Sequence, residues 1–94
     1  MIKASRVDYS KQFQKQLKKA PIEIKVAFLR RRELFSADPL NPLLNNHALT
    51  GNHLGKRSIN ITGDWRAVYS EETNEEGEKI VIFQLLGTHS QLYG

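Results

Sequence analysis

The order of hydrophobic patterns along this 94-residue chain predicts an α+β fold with the element order β-α-α-β-β-β. Two segments with apolar side chains every three to four residues occupy the first half, and a break at Ala20-Pro21 separates them. Three segments typical of strands follow in the second half. We therefore expect one domain, residues 1–94, in which a helical hairpin packs on one face of a small antiparallel sheet.

The first strand and the first helix are predicted from alternation and from a capping residue. Residues 2–7 alternate loosely between apolar and polar side chains, as a short strand does. Asp8 or Ser10 can begin a helix by accepting hydrogen bonds from the free amides of its first turn. An apolar residue then recurs at every fourth position: Tyr9, Phe13 and Leu17. The helix should bury this narrow stripe and expose its lysines.

The second helix is predicted to start at Pro21, whose missing N–H has no partner in a first turn. Its apolar residues fall on one face: Ile24, Ala27, Phe28, Leu34 and Phe35. Together the two helices are expected to form a hairpin whose apolar side packs against a sheet.

The second half is predicted to form three strands separated by loops. Residues 36–46 contain prolines and asparagines and should be irregular. Strands are expected over 56–61, 65–70 and 79–86, with an exposed acidic loop at 71–78. The last strand is apolar on both faces, which is typical of a central strand.

The register of the first hairpin decides where Arg66 points. A three-residue loop at 62–64 places Asn60 opposite Arg66. The core face then carries Ile59, Ile61, Trp65, Ala67 and Tyr69, and the other face carries Ser58, Asn60, Arg66 and Val68. A two-residue loop would mix charge into the apolar face. We therefore expect Arg66 on an open face, away from the helices.

Composition excludes several classes of site. The chain has no cysteine, so disulfides, thiolate metal sites and cysteine nucleophiles are excluded, and a cytoplasmic location is expected. The N-terminus is charged too early for a signal peptide, and no apolar run approaches the ~20 residues that span a membrane.

Positive charge is concentrated in the first part of the chain. Residues 1–35 hold ten Lys or Arg against three acidic residues, a net charge of +7, whereas residues 36–94 have a net charge of −3. This asymmetry favours a polyanionic partner, either nucleic acid or an acidic protein. A solvated lysine-rich helix face is the alternative.

The end of the chain contains the first candidate for chemistry. The apolar strand stops at Gly87, and His89 and Tyr93 follow within six residues. A buried strand that ends in a titratable ring and a phenol can position a proton donor. An exposed residue at a strand end is the competing interpretation.

Four stretches of the second half resemble the RelE/ParE superfamily of bacterial toxins, in particular its YafQ-like branch. They are His47-Ala48-Leu49-Thr50-Gly51, Gly55-Lys56-Arg57-Ser58-Ile59-Asn60-Ile61, Asp64-Trp65-Arg66-Ala67-Val68-Tyr69 and Gly87-Thr88-His89-Ser90-Gln91-Leu92-Tyr93-Gly94. Their order and spacing agree with the predicted element order.

The resemblance implies a toxin of a type II toxin–antitoxin system that cuts mRNA in the ribosomal A site without a metal or cofactor. Its partners would be a cognate acidic antitoxin, mRNA and rRNA, with operator DNA reached only through the antitoxin and no membrane. Carried over to this chain, the YafQ-like active site is His47, Asp64 and His89. Asn60 stands where such toxins tend to have a histidine, which removes one titratable group.

Two further positions correspond to RelE-type residues: Tyr93 to a mechanistic tyrosine and Arg66 to a phosphate-binding arginine. Cleavage by the neighbouring 2′-OH needs a base, an acid and a cation for the phosphate oxygens. Histidine titrates near ~6.5 and serves either as acid or as base. We assign His89 as the acid and leave open whether His47 or Asp64 is the base.

The remaining roles complete the hypothesis. Arg66, with Lys56 or Arg57, would bind the scissile phosphate, and Tyr93 would stack on a base or donate a proton. A zinc site is disfavoured because the histidine spacing matches no compact ligand motif.

Two other functions remain open: a ParE-like toxin that inhibits gyrase without catalysis, and a catalytically weakened RNA- or antitoxin-binding module, which Asn60 favours.

Overall fold

The computed structural model describes residues 6–93 and confirms the predicted α+β fold. Its elements are β1 (Arg6–Tyr9), α1 (Lys11–Lys19), α2 (Ile22–Ala37), a 3-10 turn (Pro42–Leu44), β2 (His47–Ala48), a second 3-10 turn (Gly51–His53), β3 (Arg57–Asn60), β4 (Trp65–Thr73), β5 (Lys79–Thr88) and α3 (His89–Tyr93). The short strand β2 and the terminal helix α3 were not predicted. Residues 2–5 of the expected first strand lie outside the described residues.

The sheet has five strands in the order β1-β5-β4-β3-β2. All neighbours are antiparallel except β1 and β5, which run parallel. The expectation of a purely antiparallel sheet is therefore corrected to a mixed sheet. Alternation along β1 identifies a strand, but it carries no information about the partner or the direction of pairing.

Ser10 begins α1 and ties it to the sheet. Its hydroxyl oxygen accepts from the Phe13 N–H at 3.0 Å and donates to the Gln84 carbonyl of β5 at 2.9 Å. Of the two predicted caps, Ser10 is the one used. Pro21 takes the position just before α2, and the helix begins at Ile22. The hairpin therefore packs on the sheet through the apolar faces predicted for both helices.

The core lies between the helices and one face of the sheet, with Phe83 of β5 at its centre. The Phe83 ring is fully buried and contacts the rings of five other aromatic residues at centroid distances of 5.3 to 5.9 Å. These neighbours are Tyr9, Phe13, Phe28, Phe35 and Tyr69. Trp65 packs half-buried against the same core, as its position in the register predicted.

The predicted register of the hairpin is confirmed. Asn60 pairs with Arg66, and the Ile61 N–H donates to the Trp65 carbonyl at 2.8 Å. Residues that pair directly across a ladder lie on the same face. The face of the sheet away from the helices, called here the distal face, is therefore formed by His47, Ser58, Asn60, Arg66, Val68 and Gly87.

The distal face is not fully open. Ser58 and Val68 on it are completely buried, and the Tyr93 hydroxyl contacts Ser58. The terminal helix α3 therefore folds back over part of this face. A glycine at position 87 permits the close approach, because a Cβ there would lie 3.0 Å from Gln91 Oε1 and 3.3 Å from Leu92 Cδ2.

A polar network on the opposite face holds the connector before β2. Asn46 donates to the Tyr69 hydroxyl at 2.8 Å and to the Pro39 carbonyl at 3.0 Å, and its amide oxygen accepts from Arg57 Nε at 2.8 Å. Burial raises the pKa of the Tyr69 phenol above its ordinary value of 10.0, while Asn46 and Arg57 act in the opposite direction. The protonated phenol is thus the form that the fold favours.

We expect this buried phenol to make the protein less stable at alkaline pH. Above pH ~10 a tyrosine of the unfolded chain loses its proton while Tyr69 in the folded protein keeps it. The contribution of Tyr69 to the free energy of unfolding is therefore complete below that pH and declines as pH rises through the folded pKa. Urea unfolding between pH ~8 and ~10.5 should show a smaller fall in unfolding free energy for Tyr69→Phe than for the wild type. Equal slopes would contradict the expectation.

None of the helices in the described residues 6–93 has the length and hydropathy of a membrane-spanning segment.

Candidate active site

An open cleft of about 700 Å³ lies between the segment that starts with β2 and the terminal helix α3. One wall is formed by residues 47–53 and the other by His89, Leu92 and Tyr93. All three histidines of the chain line this cleft. The fold thus gathers titratable rings that are separated by up to 42 positions in the sequence.

His47 is held by a backbone carbonyl two residues before it in the chain. Its Nδ1 lies 2.7 Å from the Asn45 carbonyl oxygen, which only accepts hydrogen bonds, so Nδ1 carries the proton. Asn45 has a left-handed backbone with φ of 45°, a conformation that asparagine tolerates better than most residues. In the neutral ring Nε2 then has the lone pair. This tautomer is suited to accept a proton.

The tautomer of His47 can be measured directly. We expect the nitrogen-15 spectrum of the neutral protein to show protonated Nδ1 and unprotonated Nε2 for this residue, the reverse of the tautomer that is more common in free histidine. Replacing Asn45 by glycine keeps the backbone carbonyl and the left-handed conformation, so it should preserve the signal. An Nε2-protonated His47 in the wild type would contradict this geometry.

His89 is the first residue of α3 and lies within a capping box, directly after the capping residue Thr88. The Thr88 hydroxyl accepts from the Gln91 N–H at 3.2 Å, and the Gln91 side-chain oxygen accepts from the Thr88 N–H at 2.8 Å. The His89 N–H donates to the Asp64 carbonyl at 3.0 Å. Thr88-His89-Ser90-Gln91 is the sequence signal that could have predicted the missed helix.

Tyr93 packs against both neighbouring histidine rings. Its ring centroid lies 4.9 Å from that of His89 and 5.7 Å from that of His53, each in an edge-to-face arrangement. Its hydroxyl donates to Ser58 Oγ at 3.0 Å. In this conformation Tyr93 presents its ring to the cleft while its phenolic proton is engaged with the sheet. The role of Ser58 was not predicted.

Arg66 and Asp64 lie beside His89 at the end of the distal face, outside the cleft lining. Arg66 Nη1 lies 3.1 Å from the carbonyl oxygens of Thr62, Gly63 and Trp65. Neither of the ion pairs found within residues 6–93 involves Arg66. Its charge is therefore not neutralised by a carboxylate of the described chain. Asp64 is exposed and meets His89 through its backbone carbonyl.

The other predicted phosphate ligands are not brought together. Arg57 lies on the helix-facing side of the sheet, where it donates to Asn46, whereas Arg66 lies on the distal face. Asn60 pairs with Arg66, but its amide oxygen is buried and has no hydrogen-bond partner among residues 6–93. Lys56 is half-buried in the turn after His53. Arg66 is thus the predicted cation with the best placement for the site.

His53 lines the cleft but was not among the predicted site residues. Its Nε2 donates to the Leu92 carbonyl of α3 at 3.0 Å, and its Nδ1 is buried without a partner among the described residues. Within residues 6–93 no group of three or more histidine or acidic side chains is arranged to hold a metal ion. The three histidines therefore share a cleft without forming a candidate metal centre.

Comparison with known families identifies the chain. The model of the YafQ toxins, described as bacterial toxins of type II toxin–antitoxin systems, matches residues 5–94. The chain belongs to this family. The resemblance inferred from the four sequence stretches is thereby confirmed, and the protein is a type II toxin of the YafQ/RelE kind. None of the curated proteins compared with it matches.

Solved structures of toxins share the fold. The E. coli DinJ–YafQ complex has a chain with 25% identity and a TM-score of 0.62, covering 94% of this chain and 97% of the other. YafQ of E. coli strain BL21(DE3) has 24% identity and a TM-score of 0.65 with the same coverage. The archaeal RelE–RelB complex of Pyrococcus horikoshii OT3 has 23% identity and a TM-score of 0.67, covering 92% and 96%.

Proposed function

We propose that this toxin is a ribosome-dependent endoribonuclease that cuts mRNA by acid–base chemistry, with the neighbouring 2′-OH as nucleophile. The single observation that carries the proposal is that His47 and His89, on two different segments of the chain, line one cleft. General acid–base catalysis needs two proton-transfer groups on either side of the scissile bond. A toxin that acts only by binding has no need of that arrangement.

His47 is the proposed base. Its Nδ1 donates to the Asn45 carbonyl, so the neutral ring accepts a proton at Nε2. The 2′-OH gives that proton to Nε2 while its oxygen forms a bond to phosphorus. Asp64, whose backbone carbonyl accepts from the His89 N–H, orients the acid rather than acting as the base.

His89 is the proposed acid. No hydrogen bond within residues 6–93 engages its imidazole, which is exposed at the start of α3, so a protonated ring can reach the leaving 5′-oxygen. As the bond from phosphorus to that oxygen breaks, His89 supplies its proton. The products are a 2′,3′-cyclic phosphate and a free 5′-OH. His47 finishes protonated and His89 finishes neutral, so a proton must leave His47 and one must return to His89 before the next cycle.

Arg66 is the proposed ligand of the scissile phosphate. It lies on the distal face with Gly87 as its strand partner, two positions from His89, and no carboxylate of the described chain neutralises it. A guanidinium is able to stabilise the charge that develops on the non-bridging oxygens. Tyr93, with its hydroxyl held by Ser58, would stack on a base of the mRNA.

An antitoxin partner is part of the proposal. Among the similar structures, E. coli DinJ–YafQ is described as a toxin–antitoxin complex and the Pyrococcus horikoshii structure as a RelE–RelB complex. The basic first part of the present chain, with a net charge of +7 over residues 1–35, suits an acidic partner. Operator DNA would then be reached only through that partner.

The proposal is tested by mapping mRNA ends in translating cells. We expect wild-type protein to produce codon-spaced 5′ ends within reading frames, and the double variant His47→Ala/His89→Ala to produce none. Both proteins should be titrated to equal levels, and supercoiling by gyrase should be assayed in parallel.

Intact mRNA during growth arrest by the wild type would overturn the proposal. Loss of gyrase supercoiling in that case would instead support the ParE-like alternative. Growth arrest that persists in the double variant would likewise point to a toxin that acts by binding.

A further inference from the structure

His53 joins the two walls of the cleft. It belongs to the turn Gly51–His53, yet its Nε2 donates to the carbonyl of Leu92, 39 positions later and one residue before the end of α3. The imidazole of His53 also packs edge-to-face with the ring of Tyr93, at a centroid distance of 5.7 Å. One side chain thus contacts both the backbone and the aromatic ring of the terminal helix.

The terminal helix needs such a contact. With five residues, α3 is far shorter than the roughly 12 residues at which isolated helices begin to be stable. Its N-terminal end is held by the Thr88–Gln91 capping box. The last carbonyls of any helix have no partner within the helix. His53 supplies a donor to one of them, at the end that the capping box does not reach.

The ring contacts connect His53 to the proposed acid. The Tyr93 ring contacts both histidine rings, with its centroid 5.7 Å from that of His53 and 4.9 Å from that of His89. The Tyr93 hydroxyl is fixed at its far end by Ser58. The orientation of Tyr93 therefore depends on contacts from the His53 turn and from β3. Because His89 packs against the Tyr93 ring, these contacts also affect the position of His89.

The geometry points to His53 as a positioning residue of the active site: by its bond to Leu92 it holds Tyr93 against His89 and so sets the direction of the acid. This inference rests on the proposed function for its catalytic consequence. Its structural part, the dependence of the His89–Tyr93 contact on His53, stands without it. The tautomer needed for the bond leaves Nδ1 unprotonated, and this buried nitrogen has no partner among residues 6–93.

The test separates the donor from the bulk of the side chain. His53→Gln places an amide N–H where Nε2 lies, whereas His53→Leu fills similar space without a donor. Leu54→Ala, at an exposed neighbour that is 77% accessible and outside the cleft, is the matched control. Should His53→Leu fail to fold, His53→Asn, whose shorter side chain cannot reach Leu92, takes its place.

The first readout does not depend on activity. The ring current of Tyr93 displaces the chemical shifts of the His89 ring protons. These shifts should move toward random-coil values in His53→Leu and stay near wild type in His53→Gln and Leu54→Ala. Unchanged His89 shifts in His53→Leu, or equal displacement in His53→Gln, would overturn the inference.

The second readout is the single-turnover rate of mRNA cleavage. A misplaced acid should lower this rate in His53→Leu by on the order of 10-fold to 100-fold, with most of it restored in His53→Gln. An inactive wild type would defeat the proposed function and leave the chemical-shift result to decide the role of His53. Normal cleavage by His53→Leu would overturn the positioning role.

Discussion

Replacing Phe83 by alanine is expected to lower the free energy of unfolding by about 3–5 kcal/mol. The ring lies fully buried on the interior strand β5 and contacts five aromatic rings at centroid distances of 5.3 to 5.9 Å. Its removal leaves a cavity that rigid rings on a sheet and two helices cannot fill. Since small domains have unfolding free energies of about 5–15 kcal/mol, much of the total would be lost.

Urea unfolding at neutral pH measures this loss as a shift of the midpoint at constant slope. Ile22→Ala is the matched control, because this large apolar side chain is 67% exposed on α2. Its cost should stay within about 0.5 kcal/mol. A Phe83→Ala protein as stable as Ile22→Ala would show that the aromatic cluster is not the core of the fold.

Replacing His89 by glutamine is expected to reduce mRNA cleavage by about 10²-fold to 10⁴-fold. Glutamine retains a polar side chain of similar reach but has no proton to give to the leaving oxygen. The capping box is built from Thr88 and Gln91, and the bond to Asp64 uses the backbone N–H of residue 89, so the local fold should persist. The loss would therefore report chemistry rather than unfolding.

The measurement is a single-turnover rate on ribosomes programmed with a defined mRNA, supported by the circular dichroism of each variant. Glu75→Gln, in the exposed loop between β4 and β5, is the control and should cleave at the wild-type rate. Because His47 and His89 act in one step, the rate of the double variant should be far higher than the product of the single losses predicts. Cleavage by His89→Gln within about tenfold of the wild-type rate would exclude His89 as the acid.

Much of the fold follows from local patterns. The apolar spacing in α1 and α2 predicted their buried faces, and the position of the turn at 62–64 predicted that Asn60 pairs with Arg66. Alternation could not predict that His47 pairs with Ser58, because the strand β2 has only two residues and is too short to show a pattern. Helix α3 was missed although the capping box Thr88–Gln91 was visible in the sequence.

The candidate site was predictable in part. The resemblance to YafQ-like toxins singled out His47 and His89, which line one cleft in the fold. The resemblance to RelE-type toxins singled out Arg66, which lies beside His89 at the end of the distal face. The hypothesis for phosphate binding grouped Arg57 with Arg66, although the sheet separates them onto opposite faces. The catalytic assignments themselves stay predictions until the variants are measured.

The amino-acid sequence alone was sufficient to predict the family, the order β-α-α-β-β-β of the longer elements and the register of the hairpin around Asn60 and Arg66. These depend on side chains a few positions apart, where the periods of helix and strand act directly. The three-dimensional structure was needed to show that β1 pairs in parallel with β5, that α3 covers Ser58, and that His53 donates to Leu92. Such contacts join residues 35 to 74 positions apart. They form because packing of the core fixes the position of each segment relative to the others.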